Sequence, residues 1–125
     1  MSNNLVLSIG SNNHDREWQM KNAIEWLRKQ FNAVKVSEVY EAIADNGIDG
    51  PYLNAVMTAE TDMDLDAAIV RVKQWETLCG RTPVSKIKGE IPIDIDIVVW
   101  NGNIIRPAEF GRPYFRHGYD LLTSR

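Results

Sequence analysis

Two hydrophobic periods alternate along this chain, and they divide it into strands and helices. Leu5-Val6-Leu7-Ser8-Ile9 is a short apolar run ended by Gly10, and it predicts a buried strand. Residues 11–15 carry turn and cap residues. Over 16–31 the period lengthens: Met20, Ala23, Ile24, Leu27 and Phe31 recur at three- and four-residue spacing, one apolar stripe of a helix. Val34 and Val36, then Val39-Tyr40, predict a second strand, and 41–51 a loop with Asn46-Gly47 and Gly50-Pro51 as turn signals. A third strand is expected over 52–61. Asp64 can cap a helix over 65–79 that turns Leu65, Ala68, Ile69, Val72, Trp75 and Cys79 inward and stops at Gly80. Residues 81–90 read as a polar loop. The strand over 92–100 alternates strictly, with Ile93, Ile95 and Ile97 on one face and Asp94 and Asp96 on the other. Asn101-Gly102 is a hairpin turn after which 103–106 can pair back, and 112–122 predicts a short helix.

The order is β-α-β-β-α-β with a C-terminal hairpin and a short helix. That pattern predicts an α+β, ferredoxin-like sheet with two helices on one face. At 125 residues the chain is expected to be a single domain, 1–125. Its balance of 44% hydrophobic and 25% charged residues excludes a disordered tail protein. No apolar run is long enough to span a bilayer, and Met1-Ser2-Asn3-Asn4 does not open a signal peptide, so no membrane association is expected. Cys79 is the lone cysteine, which rules out an intrachain disulfide and a cysteine-rich metal site and suits a reducing, cytoplasmic compartment. A net charge of −3 argues against a general grip on nucleic acid.

Three clusters carry candidate chemistry. Asp94 and Asp96, two apart on a strand, share a face and offer hard oxygen ligands that suit Mg²⁺, although a solvated polar face has the same pattern. Arg81, Lys86 and Lys88 in the preceding loop could meet a polyphosphate beside that metal, or simply be solvated. Tyr52 and Asn54 share a face at the start of a strand, where an aromatic plate beside an amide suits a flat heterocycle, or where both merely pack. Gly10-Ser11-Asn12 enters a helix but is neither a Walker motif nor a dinucleotide signature, and reads as a turn and cap. No nucleophilic triad is visible: His14 and His117 lie far apart, and Cys79 falls on an apolar stripe.

Taken together and in order, these segments resemble the 6-hydroxymethyl-7,8-dihydropterin pyrophosphokinase family. The matching text is Ile9-Gly10-Ser11-Asn12, Val39-Tyr40-Glu41, Tyr52-Leu53-Asn54-Ala55-Val56, Trp75 through Arg81, and Ile93-Asp94-Ile95-Asp96-Ile97. The resemblance implies Mg²⁺-dependent transfer of the β,γ-diphosphate of ATP to the pterin in folate biosynthesis, releasing AMP. Asp94 and Asp96 would hold the metal ions and, with Arg81, form the catalytic set. Tyr52 and Asn54 would contact the pterin, with Tyr119 as a second aromatic plate, and Glu76 would face the nucleotide.

Where the family carries Trp-Gly-Pro-Arg before the Asp-x-Asp strand, this chain has Lys88-Gly89-Glu90-Ile91. Lys86, Lys88, Arg116 and His117 are then the basic candidates for the nucleotide phosphates, though a lysine is no equivalent of a guanidinium fork. Two further readings stay open: a relative that binds a pterin or nucleotide with weak or no turnover, and a ferredoxin-like binding module without catalysis. A monomer or weak homodimer is expected, with ATP and a pterin as small-molecule partners.

Overall fold

The computed structural model describes residues 2–42, 51–82, 84–85 and 91–123. In chain order the elements are β1 (Asn3–Ser11), α1 (Arg16–Gln30), β2 (Asn32–Val36), β3 (Tyr40–Ala42), β4 (Tyr52–Thr61) and α2 (Leu65–Leu78). They continue with β5 (Asp94–Trp100), β6 (Asn103–Ile104), α3 (Pro107–Phe110) and α4 (Pro113–Thr123). The strands form one antiparallel sheet in the order β2-β4-β1-β5-β6, with β3 also paired to β4.

The odd residues of β1 and the matching residues of β4 and β5 point to one side, where Leu5, Leu7, Ile9, Met57, Ile93 and Ile95 are buried. The apolar stripes of both long helices close over them, and every inward position expected on α1 and α2 belongs to this cluster. Trp26 and Trp75 stack across the two helices with centroids 4.8 Å apart. Asp64 caps α2 as expected, its carboxylate accepting from the Ala67 N–H at 2.8 Å. Gly80 ends the helix region at φ +98°, a conformation that costs a residue with a Cβ. Asn101 and Gly102 both have positive φ, as a tight two-residue hairpin requires.

The structure departs from the sequence pattern in three places. The second strand comes in two pieces. Val36 pairs with Met57 and Tyr40 with Asn54, so four steps on one strand face three on the other. The extra residue is absorbed around Ser37, whose N–H donates to the Val56 carbonyl at 2.8 Å while its hydroxyl accepts from the Val56 N–H at 2.9 Å. A second bulge interrupts β5, where Leu7 faces Ile97 but Val6 faces Val99. Val98 and Val99 therefore both turn away from the long helices, and the strict alternation ends there. The return strand stops at Ile104, because the Ile105 N–H donates to the bulged Val98 carbonyl at 2.9 Å and the chain leaves into α3, a helix the pattern did not predict.

The opposite face of the sheet is partly covered by α4, which seats Phe115 on Val56, Val98 and Val99. Its approach is close because residue 118 is glycine. A Cβ there would stand 2.6 Å from both Tyr40 Oη and Val56 Cγ2. The Tyr40 hydroxyl uses that proximity: it accepts from the Gly118 N–H at 3.2 Å and donates to the Tyr114 carbonyl. Burial pushes the Tyr40 hydroxyl up to about 12, with the Gly118 N–H opposing, so it stays a neutral donor at ordinary pH. Gly118→Ala is expected to destabilise the protein by about 1–3 kcal/mol through overpacking, despite alanine's better helix propensity. Urea denaturation monitored by circular dichroism would read it, and equal midpoints would show that α4 sits farther from the sheet.

Candidate active site

The half of the sheet that α4 leaves uncovered carries the polar residues. Asn54, Gly10 and Asp94 lie on one rung across three strands, and Val56, Ser8 and Asp96 on the next. Side chains directly opposite share a face, so Asn54 and Asp94 flank Gly10 roughly 10 Å apart in backbone spacing. Gly10 keeps that floor low: a Cβ would meet Asn54 Oδ1 at 3.1 Å and Tyr52 Cδ2 at 3.6 Å. Each pair shares a face, as the strand spacing predicted, and the pairing of β4 and β5 with β1 brings Tyr52, Asn54, Asp94 and Asp96 to one surface.

Beside Asp94 and Asp96 runs an edge of the sheet. Strand β6 reaches only Val99 and Trp100, so among the described residues no strand borders the outer side of the first half of β5. Side chains from α2 and just beyond it pair that backbone. The Ile95 N–H donates to Glu76 Oε2 at 2.6 Å, Lys73 Nζ donates to the Ile95 carbonyl at 2.9 Å, and Arg81 donates to the Ile93 carbonyl at 3.3 Å. The same groups extend to the acids. Arg81 lies 2.6 Å from Asp94 and 3.2 Å from Glu76. Lys73 lies 3.0 Å from Glu76, 3.3 Å from Asp96 and 4.0 Å from Asp94, and Arg106 approaches Asp96 at 3.9 Å.

Burial and this crowding shift the acids in opposite directions. Burial, reinforced by the charge and hydrogen bond of Asp94, pushes Asp96 up to about 7. Burial also opposes ionisation of Asp94, but hydrogen bonds from Asp96 and Arg81 outweigh it and hold that carboxyl below its usual range. The pair therefore retains a proton well above the ordinary carboxylate range, with Asp94 the charged member. Burial likewise raises Glu76, against the Ile95 N–H and Lys73. Burial works against the charge on Lys73, yet Asp96 and Glu76 more than compensate and keep it protonated.

The remaining candidates divide. Glu76 is buried at the β5 edge, spent on Ile95, Lys73 and Arg81. Tyr119 packs against Phe110 and Phe115 and lines a cavity with Val6, Thr58 and Val99. That cavity lies several residues along β4 from Tyr52 and Asn54, so the structure does not bring the two aromatic plates together. Arg116 pairs with Asp120 at 3.5 Å and lies over the Phe110 ring. His117 meets Tyr40 edge-on beside Glu41, Pro113 and Tyr114 in a cavity of about 260 Å³. Lys86 and Lys88 lie outside the described residues. The strand-to-helix turn is a tie: Asn12 donates its N–H to the Ile91 carbonyl at 3.2 Å and accepts the Ile91 N–H on its side chain at 2.5 Å.

Asp94 and Asp96 offer two neighbouring carboxylates, hard oxygen donors whose chemistry fits a magnesium ion that takes the rest of its shell from water and phosphate oxygens. The chain matches the model of the 7,8-dihydro-6-hydroxymethylpterin-pyrophosphokinase family over residues 6–118. It belongs to this family. It is 35% identical over 105 residues to 2-amino-4-hydroxy-6-hydroxymethyldihydropteridine pyrophosphokinase of Aquifex aeolicus, covering 82% of this chain and 64% of that protein. It is 30% identical over 114 residues to the mitochondrial folate synthesis bifunctional protein of Pisum sativum, covering 90% of this chain and 22% of that one. Among solved structures, the de novo designed protein Foldit4 overlaps at a TM-score of 0.39 and 13% identity, over 79% of this chain and 98% of that one. The chain thus spans less than two thirds of the length of each of these two relatives. No helix among the described residues is long and apolar enough to cross a membrane.

For a member of this pyrophosphokinase family, sequence reasoning missed two basic residues at the acids, Lys73 and Arg106. Lys73 had a signal: it precedes Glu76 by three residues, so the two share a helix face. Arg106 had none, since the bulge at Val98 determines where its turn lands.

The Asp96 shift makes a stability prediction. The folded protein holds that proton to about pH 7, whereas the unfolded chain releases it near pH 3.9. Between those values the folded state binds more protons, so the Asp96 contribution to stability falls as pH rises and is flat above the window. Asp96→Asn removes the group. The melting temperature of the variant relative to the parent is expected to climb between pH 4.5 and 7 and then level off. A variant-minus-parent difference that instead fell between pH 4.5 and 7 would reverse the assignment.

Proposed function

We propose that this chain transfers the β,γ-diphosphate of ATP to the hydroxymethyl group of 6-hydroxymethyl-7,8-dihydropterin, a step of folate synthesis. The observation that carries the reading is the single polar surface on which Asp94 and Asp96, flanked by Arg81 and Lys73, face Asn54 and Tyr52 across Gly10. Its span of roughly two strand spacings separates an anion-handling end from an aromatic–amide end. We read the scaffold as ferredoxin-like, since β2 and β3 count as one bulged strand against β4 and the order then follows β-α-β-β-α-β.

In this mechanism the attacking hydroxyl oxygen bonds to the β-phosphorus and gives up its proton to solvent, the bond from that phosphorus to the α,β-bridging oxygen breaks, and AMP departs with that bond's electron pair. Magnesium supplies charge neutralisation and alignment of the phosphate oxygens when bound. Asp94 and Asp96 would be its ligands from this chain. Arg81, held at Asp94 and the Ile93 carbonyl, presents its remaining N–H groups to the transferred phosphates. Asn54 contributes donor and acceptor to the pterin edge, and Tyr52 its ring face. Glu76 acts through the strand, holding β5 so that both aspartates keep their direction. The lone Cys79 suits the reducing cytoplasm, where folate precursors and ATP would be met.

AMP release from ATP in Mg²⁺, with and without the pterin, tests the reading. AMP that depends on the pterin is expected. Its absence from folded protein would favour a binder without turnover, a reading for which the remote Tyr119 is the specific observation. Tyr52→Ala is expected to weaken pterin affinity about tenfold, the size of one aromatic stacking contact, and to leave nucleotide affinity unchanged. Calorimetric titration with each ligand separates the two, and a parallel loss of both would place Tyr52 in the fold rather than the pterin site.

A further inference from the structure

The acidic patch is already balanced by the protein's own bases. Three carboxyl groups, Glu76, Asp94 and Asp96, meet three basic side chains, Lys73, Arg81 and Arg106. Lys73 is the one of these bases within 4.0 Å of all three carboxylates. Its neighbours differ in how they are held. Arg81 is fixed by two carboxylates and a backbone carbonyl through a planar guanidinium, and Arg106 stands 3.9 Å away on a half-exposed side chain. Lys73 is likewise held by Glu76 and by the Ile95 carbonyl at 2.9 Å, but it reaches Asp96, at 3.3 Å, with a single compact ammonium on a flexible stem, and 42% of its side chain is open to solvent.

A divalent cation bound by Asp94 and Asp96 would take up the oxygens Lys73 now contacts and place like charge against its Nζ. Both cannot keep Asp96. Glu76, 3.0 Å from Nζ and anchored by the Ile95 N–H, limits how far the displaced ammonium travels. It stays beside the metal, where a polyphosphate would lie. We propose that Lys73 is the exchangeable counter-ion of the Asp94–Asp96 pair: it yields Asp96 to the metal and then contacts the nucleotide phosphates, doing there what the loop arginine absent from Lys88-Gly89-Glu90-Ile91 would do. The inference rests on the pyrophosphokinase reading for its second half only. The exchange at Asp96 needs no nucleotide.

The experiment uses Lys73→Gln, whose amide can still donate to the Ile95 carbonyl while the charge is gone, and Lys73→Arg, which keeps the charge. Mn²⁺ alone is titrated while the free ion is followed by electron paramagnetic resonance. Mn²⁺ with the non-transferable α,β-methylene analogue of ATP is titrated by calorimetry. In Lys73→Gln the metal alone is expected to bind several-fold tighter, because its competitor is missing. The metal–nucleotide pair is expected to bind roughly tenfold weaker, the loss of one charge-assisted contact. Lys73→Arg should restore nucleotide affinity. These opposite signs are what a merely structural lysine would not produce, since local unfolding would weaken both.

Metal affinity unchanged or lowered in folded Lys73→Gln overturns the exchange. Metal affinity raised with nucleotide affinity unchanged overturns the phosphate contact. A wild-type protein that binds metal but no nucleotide would instead sink the pyrophosphokinase reading. A second measurement needs no variant: acetylation of Lys73 in the wild-type protein, mapped by mass spectrometry, should speed up with Mn²⁺ and slow again when the nucleotide analogue is added. A rate indifferent to Mn²⁺ would overturn the proposal.

Discussion

The arrangement depends on the open outer edge of β5. Backbone N–H and C=O groups taken out of water need partners, and the first half of this strand has no described neighbour on its outer side. Helix α2 and the turn just beyond it meet the requirement with side chains. Glu76 accepts from the Ile95 N–H, Lys73 donates to the Ile95 carbonyl, and Arg81 donates to the Ile93 carbonyl. A carboxylate and two cations here do what a further strand would do. They also choose the direction of Asp94 and Asp96, because the groups that pair the backbone are the ones that grip the carboxylates.

One consequence is electrostatic. Acids and bases gathered at a partly buried edge interact more strongly than they would in water, and each needs the others to remain charged there. The pair responds by retaining a proton on Asp96 while Asp94 stays ionised against Arg81. A cluster neutralised internally takes a bare cation only in competition with its own bases. It suits a ligand that brings positive and negative charge together, as a metal polyphosphate does.

The sheet separates its tasks by face. One face is closed by α1 and α2 over an apolar cluster, and supplies the stability. On the other, α4 covers the half around Val56 and Val98 and leaves the rungs of Asn54, Gly10 and Asp94 to the site. Two glycines permit this division: Gly118 lets α4 lie close, and Gly10 lets Asn54 and Tyr52 lean across β1.

Periodicity alone was enough for the main elements. The strand spacing placed Tyr52 with Asn54 and Asp94 with Asp96, because side-chain direction along a strand is a local property with a period of two. The helical stripes named the core side of α1 and α2 for the same reason, and Asp64 and Gly80 marked the ends of α2 through their own backbone chemistry. What lay beyond local sequence was decided by contact. The bulges at Ser37 and Val98 come from register against a neighbouring strand, which one strand's pattern does not contain. Tyr119 was assigned to the pterin by resemblance, and the packing of α4 on Val56, Val98 and Val99 places it against Phe110 and Phe115 instead. Lys73 and Arg106 reach Asp96 only because α2 lies along β5 and the hairpin turns back at a bulged carbonyl. The sequence by itself therefore determined which residues share a face within each element. The tertiary structure decided which faces meet, because the distances between charges on different elements are determined by packing and not by spacing along the chain.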